Sequence, residues 1–398
     1  MRVLILSHMY PNKANPISGI FVHEQACALK STGCEVKVVA PLPWVPPGMN
    51  LVSGKWKNYK QTPKREMMDG IEVYRPSYFV VPGNYLLEYS GWTYYRGVRQ
   101  TVERIYRLWP FDIMHAHVAL PDGYATMLLK KNYDKPTVLS IHGQDMHYTV
   151  HRSPKARNKV IEALDSANVV IAVSDKLKKE IIECTQKANV VTVLNGFNVG
   201  DVYEGQSSLK DKYEGKIVIL SVGNLVPTKG HEFMLHALKD IVKEFENIVY
   251  LIVGQGSYKS ALVELVNKLG LGPYVEFLGA LPHKKAMEYM SICDIFVLPS
   301  WQEGFGVVYP EAMAHGKPVI GCKGQGIDGF VTDGVNGILV DGKDSDSLRE
   351  AVLSLIRDKG YAASIGNKAK QYVMNNLTWA NNASHMVEIY NKLLERNK

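Results

Sequence analysis

The sequence predicts an α/β protein of two domains, each built on a parallel, doubly wound sheet. Three observations carry that expectation. Short apolar runs alternate with longer helical stretches through both halves, the pattern of strands joined by crossover helices. The length of 398 residues exceeds what one hydrophobic core usually serves. A polar, turn-rich segment, Gly200-Asp201-Val202-Tyr203-Glu204-Gly205-Gln206-Ser207-Ser208, separates the two alternating series and is read as the linker.

The apolar runs of the first half fall near residues 2–7, 35–40, 71–75, 112–117, 136–141, 168–173 and 189–194. The series restarts at 216–222 and continues near 248–253, 274–278, 294–298, 317–321 and 337–340. Each half is thus a Rossmann-like unit by pattern. The opening Arg2-Val3-Leu4-Ile5-Leu6-Ser7 is too short for the core of a secretion signal and reads as a first strand. The stretch from about Leu377 to Lys398 reads as helix. The expected division is therefore 1–200, 209–376 and a terminal helix over 377–398.

Composition fits a folded soluble chain, with 46% hydrophobic and 21% charged residues. No run approaches the length of a membrane span, so membrane contact is expected to be peripheral. The five cysteines, Cys27, Cys34, Cys184, Cys293 and Cys322, form no CxxC or Cys/His cluster in the sequence. A reduced, cytoplasmic protein without structural zinc is expected. Residues 1–200 carry 25 Lys+Arg against 16 Asp+Glu, and residues 201–398 carry 21 against 23. The first half is therefore +9 and the second −2, which suggests that the first domain meets an anionic partner. Nucleic acid is not expected to be that partner, because no recognition motif accompanies the charge.

The most informative segment is Ser300-Trp301-Gln302-Glu303-Gly304-Phe305-Gly306-Val307-Val308-Tyr309-Pro310-Glu311-Ala312-Met313-Ala314. The preceding apolar run places Glu303 in a loop at the carboxyl end of a buried strand, where open α/β sheets bind ligands. Pro310 suits the first position of a helix, which puts Glu311 in the first turn among backbone N–H groups that orient a carboxylate. Such a carboxylate accepts two hydroxyls at once, as a sugar diol requires. A second constellation, Ser221-Val222-Gly223-Asn224-Leu225-Val226-Pro227-Thr228-Lys229-Gly230, joins a strand to a helix expected to reach about Phe245. A glycine-containing turn, a helix amino end and the Lys229 charge together suit a diphosphate.

These two constellations resemble the signature of glycosyltransferase family 4, retaining enzymes of the GT-B fold. The resemblance implies two facing Rossmann-like domains, with the last helices crossing back to the first. It implies that Glu311 holds the donor ribose, that Glu303, Gly304, Phe305 and Gly306 hold the donor hexose, and that Gly223, Asn224 and Lys229 hold the diphosphate of a UDP- or GDP-sugar. The family usually has Gly-Arg-Leu where this chain has Gly223-Asn224-Leu225. Asn224 cannot neutralise phosphate, so Lys229 or a basic residue elsewhere carries more of that role.

In the first half, Leu139-Ser140-Ile141-His142-Gly143-Gln144-Asp145 resembles the family's Thr/Ser-x-His-Gly-x-Asp motif, whose histidine lines the cleft near the donor sugar. His142 is thereby implicated beside Lys229 and Glu303 in catalysis. Gly19, in Pro16-Ile17-Ser18-Gly19, matches a loop glycine that in the family comes close to the donor diphosphate, although Ser18 replaces the first of the usual glycine pair. His23 and Gln25 read equally as exposed first-turn residues. His117 ends another strand and is a candidate acceptor contact, though a core role fits it better. The loop-like stretch from Trp44 to Arg65 mixes aromatic and basic residues, and Trp56 and Lys57 are its acceptor candidates. Over 92–109, Tyr95, Val98, Val102, Ile105 and Trp109 recur at helical spacing with Arg96, Arg99, Arg104 and Arg107 between them. That pattern fits either a helix packed on the sheet or one lying on an anionic membrane where a lipid-linked acceptor waits.

The expected activity is transfer of a hexose from a nucleotide diphosphate sugar to a hydroxyl of a sugar or lipid-linked acceptor, with no cofactor and no catalytic metal. Polysaccharide or glycolipid synthesis at the inner face of a bacterial membrane is the expected setting. Three alternatives differ in kind: a nucleotide-sugar epimerase on the same fold, which needs no acceptor; phosphorylase-like chemistry, for which no pyridoxal-lysine motif is visible; and a non-catalytic sugar-nucleotide-binding protein.

Overall fold

The computed structural model describes residues 1–396 other than Pro82 and Asn84, with the backbone alone for Asn50 and Val52. The chain forms two compact units, Met1–Gly196 with Trp379–Lys398, and Phe197–Thr378.

The strands of the first unit are β1 (Arg2–Leu6), β2 (Glu35–Val39), β3 (Leu42–Pro43), β4 (Arg65–Met68), β5 (Ile71–Tyr74), β6 (Ser77–Tyr78), β7 (Ile113–His117), β8 (Thr137–Ile141), β9 (Val169–Ala172) and β10 (Val190–Thr192). Its large sheet runs β10-β9-β8-β7-β1-β2-β5-β4, and β3 pairs with β6 alone. All pairs of the large sheet are parallel except β4 with β5. Strands β7 and β8 are buried throughout, which is why they read as unbroken apolar runs and not as alternation. The edge strand β4 has no such run and was not expected from the sequence.

The helix Ser90–Leu108 buries Tyr94, Val98, Val102 and Ile105 and keeps Arg96, Arg99, Arg104 and Arg107 exposed. Its apolar stripe is therefore spent on the sheet, which leaves only the arginine face for any surface contact. The stretch 44–65 is not the loop its composition suggested: it contains the short helices Met49–Val52 and Gly54–Gln61. The last helix, Trp379–Arg396, joins the first unit's core through Ala383, Met386, Tyr390 and Leu393. Gln25 Nε2 donates to Asn382 Oδ1 at 2.7 Å, and Asn382 Nδ2 donates to the Leu194 carbonyl at 2.8 Å. Gln25 is accordingly buried, and His23 is buried against Tyr10 and Asp69, so neither is the exposed first-turn residue that the sequence allowed.

The second unit has β11 (Ile217–Val222), β12 (Ile248–Val253), β13 (Val275–Gly279), β14 (Ile295–Val297), β15 (Val319–Cys322) and β16 (Ile338–Val340), all parallel, in the order β13-β12-β11-β14-β15-β16. The strand order reverses between β11 and β14, which makes their carboxyl ends the switch point where such sheets bind ligands. Among the described residues no helix is long and apolar enough to cross a membrane.

Candidate active site

Both sequence constellations of the second unit begin at that switch point. The loop after β11 runs from Gly223 through a single 3₁₀ turn, Pro227–Lys229, into the helix His231–Ile241, which ends short of the expected Phe245. The loop after β14 lies against it: Trp301 N and Ser300 Oγ both donate to the Thr228 carbonyl, at 3.0 and 3.1 Å. Gly230 sits at φ 71°, and a Cβ there would stand 2.1 Å from the Pro299 carbonyl oxygen. Only glycine permits that approach, which brings Lys229 within reach of the second loop. Lys229 Nζ donates to Glu303 Oε2 at 2.5 Å, with the side chains 19% and 13% exposed. The result is a mutually neutralised pair at the mouth of the switch point, held beside a helix amino end.

Gly223 and Asn224 lie between strand and 3₁₀ turn, where Gly223 N donates to the Val253 carbonyl at 3.0 Å. Gly304 and Phe305 are buried, with the Phe305 ring 5.1 Å from that of Phe330. Their backbone, and not the Phe305 ring, is what this segment can offer a ligand. Glu303 is fixed from a third loop: its N–H donates to Gln325 Oε1 at 3.0 Å, and its carbonyl accepts from Gly326 N at 3.2 Å.

The helix carrying Glu311 starts earlier than the sequence suggested. It spans Val308–Ala314, so Pro310 is its third residue and Glu311 its fourth. Gly306, at φ 82°, lets the chain turn before Val308, and proline is tolerated within the first turn because those N–H groups have no helical acceptor. Glu311 is 15% exposed, and its Oε1 lies 2.9 Å from His283 Nε2. His315 Nδ1 bonds the Glu311 carbonyl at 2.8 Å while its Nε2 accepts from Tyr203 N at 2.9 Å. Burial holds the His315 imidazole below its ordinary pKa.

Sequence reasoning missed His283, His315 and Gln325, which stand in no motif with the glutamates they touch. It also missed His231, the first helical residue after Gly230, which is buried with its Nδ1 3.3 Å from the Tyr250 hydroxyl. Burial, with help from the Lys229 charge, pushes its pKa down to about 4. A neutral imidazole thus underlies the Lys229 loop. A cavity of about 450 Å³ opens at the opposite, amino end of the second sheet, lined in part by Lys216, Asp294, Lys317 and Lys359, and it includes none of these residues.

In the first unit, His117 ends β7 and His142 follows β8. His117 Nδ1 and His142 Nε2 are 3.1 Å apart with the rings stacked, and the His115 ring also stacks on that of His117. Burial keeps all three imidazoles neutral, pushing His115 and His142 down to about 3 and His117 well below its ordinary value. Among the described residues, the shielded His142 Nδ1 and His117 Nε2 have no hydrogen-bond partner. Beside them the chain passes Val118 at φ 68°, a costly conformation for a β-branched residue. Asp145 secures the turn that follows, its Oδ2 accepting from Ala119 N at 2.7 Å and its Oδ1 from Leu120 N at 3.3 Å. Burial raises Asp145 to about 6 despite those donors. His8 is tied to the same turn, its N–H at 2.9 Å and its Nδ1 at 2.7 Å from the buried Asp122 carboxylate. Gly19 caps the helix Ile20–Ser31 at φ 63°, and a Cβ there would meet the Met9 carbonyl oxygen at 2.1 Å. Trp56 and Lys57 are on the short helix Gly54–Gln61, Trp56 partly buried near Tyr59 and Lys57 exposed.

A model of the family described as Glycosyltransferase Family 4 matches residues 18–201, and one described as Glycosyl transferases group 1 matches residues 204–372. The chain is 28% identical over 359 residues to a Bacillus subtilis protein named as the teichuronic acid biosynthesis glycosyltransferase TuaC, covering 88% of each chain. Among solved structures, sucrose-phosphate synthase from Thermosynechococcus elongatus superposes with a TM-score of 0.81 at 20% identity over 100% of both chains. The Anabaena protein HepE, solved in complex with UDP and glucose, gives 0.74 at 20% identity, covering 98% of this chain and 100% of its own. Two consecutive family models, a relative aligned along most of its length and this pair of parallel sheets agree: the chain belongs to glycosyltransferase family 4 and is a glycosyltransferase of the GT-B fold.

Proposed function

We propose that this glycosyltransferase moves a hexose from a nucleotide diphosphate sugar to an acceptor hydroxyl with retention of anomeric configuration. The observation that carries the donor assignment is the meeting of Lys229 and Glu303 at the switch point of the second sheet, with Glu311 on the following helix. Lys229 and the adjoining helix end receive the diphosphate, where positive charge is worth most as the leaving group gains charge in a dry site. Glu303 then exchanges its lysine partner for hexose hydroxyls, assisted by backbone groups of Gly304, Phe305 and Gly306. Glu311 exchanges His283 for the two ribose hydroxyls. Asn224 adds an amide hydrogen bond. The UDP and glucose bound by HepE support a nucleotide sugar as the donor class.

The motif loops offer no carboxylate free to act as a nucleophile, since Glu303 and Glu311 are committed to hydroxyls. Retention therefore follows front-face attack. The acceptor oxygen bonds the anomeric carbon on the side the diphosphate leaves, the glycosidic bond to the diphosphate breaks, and the acceptor proton passes to the departing diphosphate oxygen. In the first unit, His142 is assigned a hydrogen bond to a sugar hydroxyl through its unpartnered Nδ1, and Gly19 an approach to phosphate. His117, Trp56 and Lys57 are assigned to the acceptor. The acceptor class is a sugar or lipid-linked saccharide of polysaccharide or glycolipid synthesis, a reading that the likeness to TuaC supports, and the exposed arginines of Ser90–Leu108 suit docking on an anionic membrane. The test is a panel of UDP- and GDP-sugars incubated with membrane lipid extracts, with the product's anomeric configuration read by proton NMR. A product of the donor's configuration is expected. An inverted product would overturn retention, and consumption or epimerisation of donor without acceptor would overturn transfer.

A further inference from the structure

The first helix of the first unit presents a second polar cluster that the transfer reaction leaves unused. His23 and Cys27 are four residues apart on the helix Ile20–Ser31 and so share a face. The turn between β4 and β5 brings Asp69 to the same face. That turn consists of Asp69 at φ 49° and Gly70 at φ 72°, the two-residue geometry that suits a tight hairpin, and it is pinned to the helix by Lys30 Nζ, which donates to the Asp69 carbonyl at 3.2 Å. His23 Nε2 lies 2.8 Å from Asp69 Oδ2 and 3.6 Å from Cys27 Sγ, and the three atoms all fall within 4.8 Å of one another.

We propose that His23, Cys27 and Asp69 form a binding site for one divalent transition metal of borderline softness, zinc by preference, with a solvent molecule as fourth ligand. Four arguments support it. Tetrahedral zinc with bonds of about 2.0–2.3 Å places its ligand atoms about 3.3–3.7 Å apart, which the His23 to Cys27 separation already meets and which Asp69 reaches by a small rotation. One thiolate, one carboxylate and a neutral imidazole balance the charge of a divalent ion, and mixed S, N and O ligands favour zinc or cobalt over magnesium or calcium. The remaining ring nitrogen, His23 Nδ1, is 2.6 Å from the buried Tyr10 hydroxyl, the outer hydrogen bond that fixes tautomer and ring orientation in metal-binding histidines. The Asp69 side chain is 77% exposed, which leaves an entry path to a cluster whose other members are buried or partly buried. A bound ion would fasten the hairpin to the first helix and, through Tyr10, to the loop after β1. No expectation of a zinc site came from the sequence, because Asp69 lies 46 residues beyond His23 and is placed only by the hairpin.

The test is titration of the reduced, chelator-stripped full chain with cobalt(II). Saturation at one equivalent is expected, with a thiolate-to-cobalt charge-transfer band in the near ultraviolet and intense visible bands of tetrahedral cobalt. Both sets of bands should vanish in Cys27→Ser and persist in Cys184→Ser. Tyr10→Phe should weaken binding by about 10–100-fold. Zinc should displace the cobalt and raise the midpoint of thermal unfolding of the wild type but not of Cys27→Ser. Should Cys27→Ser not fold, Asp69→Asn on the exposed turn gives the same discrimination through weakened binding and altered visible bands. Absence of a charge-transfer band in protein with native circular dichroism would overturn the site and leave a hydrogen-bonded trio, and a band that survives Cys27→Ser would place the metal elsewhere. Neither result depends on transfer activity.

Discussion

The polar residues of the second unit that are assigned to the donor stand in two short motifs, each at the end of a strand, whereas in the first unit the His142-Gly143-Gln144-Asp145 motif at the end of β8 is joined by partners, Ala119 among them, from segments with no local mark of their relation. Lys229 and Glu303 meet because β11 and β14 are neighbours in the sheet, so reading each motif at its strand end suffices to bring them together. In the first unit, His8 finds Asp122 across 114 positions and Asp145 reaches back 26 to Ala119. Those contacts hold up a strained turn at Val118. The donor assigned to the second unit asks for a cation and carboxylates at two strand ends, while the buried carboxylates of the first unit serve the packing of its loops.

The comparison breaks first, and with the largest effect, at Lys229. Lys229→Ala should lower turnover by about 100–1000-fold, or about 2.7–4 kcal/mol, the cost of removing one preorganised charge from a developing anion, while the denaturation midpoint stays near that of the wild type. Turnover within a factor of two of wild type would move the charge to another residue. In the first unit, Asp145→Ala should act in the opposite sense, with stability falling by about 2–3 kcal/mol in urea denaturation as two buried N–H groups lose their acceptor, and nucleotide affinity unchanged. The stacked histidines sharpen the contrast through pH. His142 is held neutral to about 3 in the folded chain, while the unfolded chain takes up a proton below about 6.5. Its contribution is therefore complete above pH 6.5 and lost as pH falls toward 3. Over that window His142→Asn should flatten the slope of stability against pH by up to about 1.4 kcal/mol per pH unit. The smallest effect is expected at the exposed arginines. Changing Arg99, Arg104 and Arg107 together to Gln should reduce co-sedimentation with anionic vesicles, at about 1 kcal/mol per residue near the surface and less as salt rises; equal sedimentation with neutral vesicles would favour a soluble acceptor.

Much of the sheet architecture was legible, because a buried parallel strand is a run of apolar residues and each run named from the sequence became a strand. β4 was not legible: Arg65–Met68 is an exposed edge whose pairing is dictated by the Asp69-Gly70 turn. At the second-unit loops, the glycine-containing turn after β11 was legible, and Gly230 within it carries positive φ. The helix start at Val308 was misplaced because Pro310 fits any first-turn position, so the residue alone does not fix the register. His283 and Gln325 were invisible for a different reason. His283 opens the helix His283–Ile292 and Gln325 lies in the segment after β15, and one sequence carries no sign of which segments will be neighbours. The burial of Gln25 depended on the last helix, more than 350 residues away at Asn382.

The most direct measurement is calorimetric titration of UDP and of GDP into the wild type and into Glu311→Ala. The donor assignment predicts that one of the two nucleotides binds the wild type at a single site. In the variant its affinity should fall about a hundredfold or more, because two hydrogen bonds to a charged carboxylate, worth about 1.5–3 kcal/mol each, are lost. Equal affinity in the two proteins, both folded, would contradict the assignment of Glu311 to the ribose and with it the donor site built from these loops.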